Sequence, residues 1–198
     1  MNKVLFIKVI VICLLSIKAY AIEKVVLFGD SLMAGYGLPN EHHLSVVLEQ
    51  RLKDQGKNIK VINGSVSGST SSGGLNRAEW SLSDEDVDLM ILGLGANDML
   101  RGIPPNETEQ NLEKIIKIAQ SKNIKVILAG MLAPTSHGIE YKKKFDMIYQ
   151  HCAAFCTNNV MHFVAFETVI IALFHTVFRK PSGAFVAVDL FINRALFF

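Results

Sequence analysis

The chain has 198 residues, half of them hydrophobic, and a formal net charge of +2. This length allows one domain with a substantial core and is too short for two comfortable ones. The first 21 residues contribute Lys3, Lys8 and Lys18 and no acid, so taking those three charges from +2 leaves −1 for the rest. Such a balance excludes the strong positive charge typical of nucleic-acid-binding proteins, and we expect no nucleic acid as a partner.

The first 21 residues have the pattern of a signal peptide. Positive charge comes first, an apolar stretch follows, and residues 19–21 (AYA) have the small-x-small form of a cleavage site. We therefore expect cleavage near Ala21 and an exported protein, either periplasmic or secreted. An uncleaved membrane anchor is the alternative, but Lys8 and Lys18 interrupt an apolar run that is already short for a bilayer.

From residue 24 onward, strand-like and helix-like segments alternate. Short runs rich in Val and Ile predict buried strands over residues 24–28, 59–62, 88–94 and 124–130. Periodic apolar positions predict a helix from His43 to Gln55 that ends at Gly56, and a second helix with an N-cap at Asn106. The buried stripe of the second helix is predicted to contain Leu112, Ile115, Ile116 and Ala119. This alternation predicts right-handed βαβ units and an α/β domain with a parallel sheet.

Three of the predicted strands end in polar turns. The first turn contains Ser31, the second ends at Gly68, and the third contains Asn97. A strand order 2-1-3 would bring these turns together at the carboxyl edge of the sheet, where such folds bind ligands. Ser31 is then a candidate nucleophile, and its N–H, the Gly68 N–H and the Asn97 carboxamide are candidate oxyanion donors. Each turn alone is typical of an ordinary loop, and Met33 excludes the G-x-S-x-G elbow.

Four stretches together resemble the GDSL, or SGNH, hydrolases, in particular the secreted arylesterase, thioesterase I and lysophospholipase group. They are FGDSLMAGYGLP, VINGSVSGSTSSGGLNRAEW, ILGLGANDMLRGIPP, and ILAGMLAP followed by EYKKKFDMIY. The resemblance implies a flavodoxin-like, three-layer α/β/α sandwich with Ser31 as nucleophile and Gly68 and Asn97 in the oxyanion hole. It also implies small acyl or aryl esters or thioesters as substrates, and neither a metal nor an organic cofactor.

The family's last block, an Asp-x-x-His that supplies the general base and its orienting acid, does not occur in this sequence. The residues three positions before His151, His162 and His175 are Ile148, Asn159 and Ala172. His42 and His43 begin the helix after the first turn, and His137 lies in the loop after the fourth strand. We assign the role of base to none of these histidines, and of them His137 is the best placed.

The composition changes near residue 150. Residues 150–198 hold nine of the twelve Phe and only five charged residues. We interpret residues 22–149 as an incomplete hydrolase domain and residues 150–198 as a divergent or frameshifted apolar tail. Two alternatives are a membrane helix over residues 160–178, which Glu167 near its centre disfavours, and an ordinary but divergent pair of core elements.

The sequence thus predicts a serine esterase whose activity is impaired by the missing Asp and His. Two alternatives remain open. One is a catalytically inactive domain that still binds ligands in the same cleft, and the other is a membrane-tethered protein with a C-terminal anchor. Membrane contact through the tail is not the favoured interpretation.

Overall fold

A computed structural model of the chain describes residues 22–84, 86–155 and 164–165. Its strands form one parallel sheet in the order β2-β1-β3-β4-β5. The strands are β1 (Lys24–Gly29), β2 (Lys60–Asn63), β3 (Leu89–Gly93), β4 (Lys125–Gly130) and β5 (Val164–Ala165). The order 2-1-3 predicted from the sequence is confirmed. β5 lies within residues 160–178, for which the alternative prediction is a membrane helix, and there Val164 and Ala165 form a strand.

Helices cover the sheet on both faces. They are α1 (Ser31–Ala34), α2 (Leu44–Asp54), α3 (Ser71–Ser81), α4 (Ala96–Leu100), α5 (Pro105–Ser121) and α6 (Ile139–Phe155), with short 3₁₀ turns over Asn40–His42 and Thr135–His137. Helices α3, α5 and α6 pack side by side. The chain moves in opposite directions along the sheet from β1 to β2 and from β2 to β3. Because such crossovers are right-handed, α2 and α3 lie on opposite faces and the domain has three layers.

The central strands are buried on both faces, as the uniformly apolar runs predict. Every residue of β3 is buried, and so is every residue of β1 and β4 after the first. The predicted stripe of α5 is confirmed, because Leu112, Ile115, Ile116 and Ala119 are each 0 % exposed.

Two helix ends test the capping predictions. The C-terminus of α2 is confirmed, because Gly56 has a φ of +76° and its N–H donates to Lys53 O at 2.9 Å. Lys57 N–H donates to Leu52 O at 2.9 Å, which completes a Schellman motif. The prediction of an N-cap at Asn106 is wrong, because α5 already begins at Pro105. Proline sets a helical φ and lacks the N–H that a cap would satisfy, so it starts the helix one residue before Asn106.

Helix α6 runs without interruption past residue 149, where the composition changes. Cys152 is buried against α5, and its thiol contacts Glu109 O at 3.9 Å. The remainder of the predicted tail, apart from β5, lies outside the described residues, as do the predicted signal peptide and Cys156. None of the described helices is long and apolar enough to cross a membrane.

Candidate active site

The turn after β1 presents Ser31 at the first position of a single helical turn. Asp30, which is fully buried, caps this turn by accepting the Leu32 N–H on Oδ1 at 3.0 Å. Gly35 ends the turn in the left-handed region with a φ of +83°, and Tyr36 N–H donates to Ser31 O at 3.2 Å. The half-buried Ser31 therefore lies between a side-chain cap before it and a backbone hydrogen bond that closes the turn after it.

Met33 explains why the turn lacks a second glycine after Ser31. Its side chain is buried between the ends of β1 and β3, where both strands end in glycine. A Cβ at Gly29 would lie 2.7 Å from Met33 Sδ and 2.8 Å from Gly93 O, and a Cβ at Gly93 would overlap the Met33 side chain. Glycine at both strand ends therefore makes the space that Met33 fills.

The loop after β2 carries Gly68 beside this turn. Gly64 N–H donates to Leu27 O at 2.9 Å and Val66 N–H to Gly29 O at 3.0 Å, so the loop continues the pairing with β1. Gly68 is exposed and has a φ of +79°, a conformation that favours glycine. Its N–H donates to no group among the residues that the structure describes, and so it is available to a ligand.

Asn97, the second residue of α4, connects the two loops. Its Nδ2 donates to Asp30 Oδ2 at 3.3 Å and to Ser69 O at 3.1 Å. Asp30 precedes Ser31 and Ser69 follows Gly68, so these bonds bring the three predicted site residues to one edge of the sheet. Both hydrogens of the Asn97 carboxamide are already engaged, and donation to a bound oxyanion requires that one of these bonds be shared or broken.

Asp98, the next residue, forms a buried polar cluster that sequence reasoning missed. Its carboxylate accepts hydrogen bonds from Ser71 N–H at 2.8 Å, Ser71 Oγ at 2.5 Å and Thr108 Oγ1 at 3.2 Å. Asn111 adds a bond to Ser71 Oγ at 3.0 Å. The cluster ties the first turns of α3 and α5 to α4, and so it fixes the helix that carries Asn97.

The electrostatics of Asp30 are set mainly by its burial. Removal of the carboxyl group from water raises its pKa above the ordinary value for aspartate. The hydrogen bonds from Leu32 N–H and Asn97 Nδ2 act in the opposite direction, and the nearby Asp98 adds a smaller upward effect. Burial therefore disfavours the charged form of this cap.

Three of the four described histidines have partners other than Ser31. His43 Nε2 lies 3.1 Å from Leu38 O, the ring of His137 packs on Tyr141 with centroids 5.2 Å apart, and His151 Nδ1 lies 2.9 Å from Glu109 Oε1.

The Glu109 carboxylate reaches His151 from α5, 42 positions earlier in the chain, a separation that no helix or strand period marks. No hydrogen bond joins a histidine to Ser31 in the described ranges. His162 and His175 lie outside those ranges.

Acidic, histidine and cysteine side chains do not gather into a metal-binding group of three or more anywhere in the described part of the chain. This part of the chain does bring together Ser31 at a strand end, the N–H groups of Ser31 and Gly68, which donate to no described group, and the carboxamide of Asn97.

Comparison with known proteins decides the family. The model of the GDSL-like Lipase/Acylhydrolase family matches residues 27–190. The chain belongs to this family. By family it is a hydrolase that acts on ester bonds, and the resemblance found in the sequence is confirmed. The match extends beyond residue 149 into the segment with changed composition.

Two proteins with established names are similar in sequence to the chain. The chain is 37% identical over 149 residues to an arylesterase from Vibrio mimicus, covering 75% of this chain and 74% of the relative. It is 37% identical over 134 residues to the esterase TesA from Pseudomonas aeruginosa, covering 68% of this chain and 67% of the relative.

A solved structure of AlinE4, described as an SGNH-hydrolase family esterase, superposes with a TM-score of 0.68. It is 33% identical to the chain, and the match covers 88% of this chain and 95% of AlinE4. This likeness confirms the predicted α/β fold class.

Proposed function

We propose that the protein is a serine esterase of small acyl or aryl esters and thioesters, with Ser31 as the nucleophile. The observation that carries the proposal is the pair of bonds from Asn97 Nδ2 to Asp30 Oδ2 and Ser69 O. It supports a site in which the Ser31 hydroxyl faces three oxyanion donors, namely the N–H groups of Ser31 and Gly68 and the carboxamide of Asn97.

In this reaction the Ser31 Oγ attacks the carbonyl carbon of the ester, and the carbonyl π electrons move to its oxygen. The three donors stabilise the resulting oxyanion. The oxyanion then collapses, expels the alcohol, phenol or thiol, and leaves an acyl group on Oγ, which water removes in a second cycle. The hydroxyl proton must pass to a base in the first step, and the alkoxide or thiolate must receive one.

Exposed apolar side chains around the site support an acyl or aryl substrate. Tyr36, Val66 and Leu100 are 79%, 50% and 70% exposed. Tyr36 and Val66 bond through their N–H groups to Ser31 O and Gly29 O, and Leu100 ends the helix that carries Asn97. These side chains provide apolar surface beside the reacting carbonyl, where a hydrocarbon group is favoured over a charged one.

We propose that this activity is weak. No described histidine bonds to Ser31, and the sequence has no Asp-x-x-His. Without a base the hydroxyl stays protonated at neutral pH, and loss of the base costs a serine hydrolase about six decades in turnover. The same observation favours a second candidate, a domain that binds ester ligands in this cleft without turning them over.

Binding of phenylboronic acid tests the site without a catalytic base in the protein, because boron adds to the serine Oγ at equilibrium and the hydroxyl proton passes to the buffer. We expect a shift of the ¹¹B NMR signal to the tetrahedral range with the whole chain and no shift with Ser31→Ala. Ser83→Ala, at an exposed site remote from the turn, is the matched control and should bind as the unmodified chain does. A tetrahedral signal that survives in Ser31→Ala would reject Ser31 as the nucleophile.

We also propose that the protein is exported and that residues 1–21 are removed, which leaves Ile22 as the N-terminus. The basis is the order of charge, apolar stretch and small residues before residue 22. Mass spectrometry of protein recovered outside the cytoplasm should find Ile22 first. Recovery of exported protein with Met1 intact would contradict this proposal and favour an anchor.

A further inference from the structure

Arg77, on the inner side of α3, lies directly behind the two loops that form the candidate site. Its two terminal nitrogens donate to Gly64 O at 2.7 Å and to Gly29 O at 3.1 Å. The guanidinium carbon lies 3.8 Å from the centre of the Phe28 ring. The arginine thus contacts the end of β1 and the end of β2 at the same time.

The environment of Arg77 is unusual for a cation. The side chain is half-buried, its Nε is fully buried without a hydrogen-bond partner, and no carboxylate pairs with it among the described residues. Burial lowers the pKa of the guanidinium from its ordinary value. Charges removed from water are normally paired with an opposite charge, and here two backbone carbonyls and an aromatic face take that place.

The two carbonyls belong to the strand ends that carry the site. Gly29 O precedes Ser31 by two residues, and it also accepts the Val66 N–H at 3.0 Å. Gly64 O precedes Gly68 by four residues. The backbone bonds from Gly64 N–H to Leu27 O and from Val66 N–H to Gly29 O join the two segments, and the planar guanidinium adds a rigid connection between the carbonyls of Gly29 and Gly64.

We propose that Arg77 is a positioning residue of the esterase reaction, which holds the Ser31 turn and the Gly68 loop at the separation that the oxyanion site requires. The inference rests on the proposed function. Arg77 touches no reacting atom and acts through the carbonyls of Gly29 and Gly64. Lysine cannot replace it, since one ammonium group does not present two donors in a rigid plane.

Hydrogen exchange of the full chain tests whether Arg77 holds the Ser31 turn and the Gly68 loop. In Arg77→Ala the N–H groups of Tyr36 and Val66 should exchange about tenfold faster. Val66 N–H bonds to Gly29 O, which the guanidinium contacts, and Tyr36 N–H bonds to Ser31 O, two residues further along the chain. Amides of α2, in the opposite layer, should keep their rates. Arg51→Ala, which removes an arginine from α2, is the matched control and should leave Tyr36 and Val66 unchanged.

Rescue by a small cation separates positioning from general loss of structure. Millimolar guanidinium should return the exchange of Arg77→Ala toward that of the unmodified chain, whereas methylammonium should not. Arg77→Lys should show the same local acceleration as Arg77→Ala, and it serves where the alanine variant does not fold. Unchanged exchange at Tyr36 and Val66, equal acceleration throughout the chain, or equal rescue by both cations would overturn the proposal.

The affinity for phenylboronic acid tests whether the positioning by Arg77 matters for the reaction. We expect its affinity to fall about tenfold in Arg77→Ala and to recover with guanidinium. An unchanged affinity in a variant with accelerated exchange would overturn the positioning role. If the unmodified chain forms no boronate adduct, the proposed function fails, while the exchange experiment still decides whether Arg77 holds the loops. The two failures are therefore distinguishable.

Discussion

At the scale of single residues, Asp30 is a hydrogen-bond acceptor that the site needs and an acidic group that burial destabilises in its charged form. Its carboxyl group caps α1 and accepts a hydrogen bond from Asn97, and it does so without exposure to water. Burial raises its pKa, so the folded state binds a proton more readily than the unfolded chain does. The charged form therefore destabilises the fold above the ordinary aspartate pKa, and this cost disappears as the pH falls.

Asp30→Asn should remove this dependence on pH. The amide oxygen can still accept the Leu32 N–H, and no charge is buried. We expect the free energy of unfolding of the variant, relative to the unmodified chain, to increase as the pH rises from about 4 to 7. Urea unfolding at several pH values measures this difference. A constant difference across that range would show that burial of the Asp30 charge carries no cost.

Asp98 is buried as well, but it accepts three hydrogen bonds from Ser71 and Thr108. Asp98→Ala leaves these donors without an acceptor and should lower the free energy of unfolding by about 2–4 kcal/mol. Asp98→Asn keeps one acceptor oxygen and should cost about half as much. Chemical denaturation of both variants measures this, and equal losses would mean that volume rather than hydrogen bonding decides the effect.

At the scale of elements, the sequence was most informative where one period dominates. The stripe of α5 and the central strands follow from apolar spacing alone. One buried face of a helix has apolar residues every three or four positions, and a strand buried on both faces is apolar throughout. The N-cap of α5 failed because Asn106 and Glu109 fit a capping pattern while Pro105, just before them, already fixes the first helical turn.

Helix α6 shows how an element far along the chain supports the site. Tyr149, fully buried, donates its hydroxyl to Leu94 O at 3.0 Å, and its phenol packs on Gly95 just before α4. Tyr141, nearer the start of α6, donates to Ile103 O at 3.0 Å in a less buried position. The two tyrosines make the same bond at different depths.

Tyr149→Phe should therefore be more costly than Tyr141→Phe. Each change removes only a hydroxyl, but the first leaves Leu94 O buried without this donor, while water can replace the second. We expect losses of about 1–2 kcal/mol and about 0.5 kcal/mol in the free energy of unfolding. Thermal or urea unfolding of the pair measures the difference, and the opposite ranking would contradict the importance of depth.

At the scale of the whole molecule, the strand order and the meeting of three turns were predictable because parallel strands share a carboxyl edge. The contacts that hold those turns were not. Arg77 reaches Gly29 over 48 positions, Asp98 reaches Ser71 over 27, and Glu109 reaches His151 over 42. None of these pairs has a spacing that a helix or strand period marks, so only the folded chain identifies them.

The extent of helix α6 determines where a replacement tail can be joined to the chain. The helix continues to Phe155, and Cys152 packs on α5. A replacement tail is therefore best joined after residue 155, where it keeps these contacts. A tail from an active relative that carries Asp-x-x-His should raise the rate of p-nitrophenyl acetate hydrolysis by several decades, since it returns a base to Ser31. The unmodified chain should hydrolyse this ester slowly, and Ser31→Ala should change that slow rate little.

Two control chains make the result specific. One carries the same tail with alanine in place of its histidine, and the other carries the complete tail with Ser31→Ala. Both should remain at the slow rate, because a nucleophile without a base and a base without a nucleophile each leave the oxyanion donors as the only contribution. Rapid hydrolysis by the unmodified chain that is lost in Ser31→Ala would contradict the prediction. It would require a base within reach of Ser31, and His137→Ala would then be the first variant to measure.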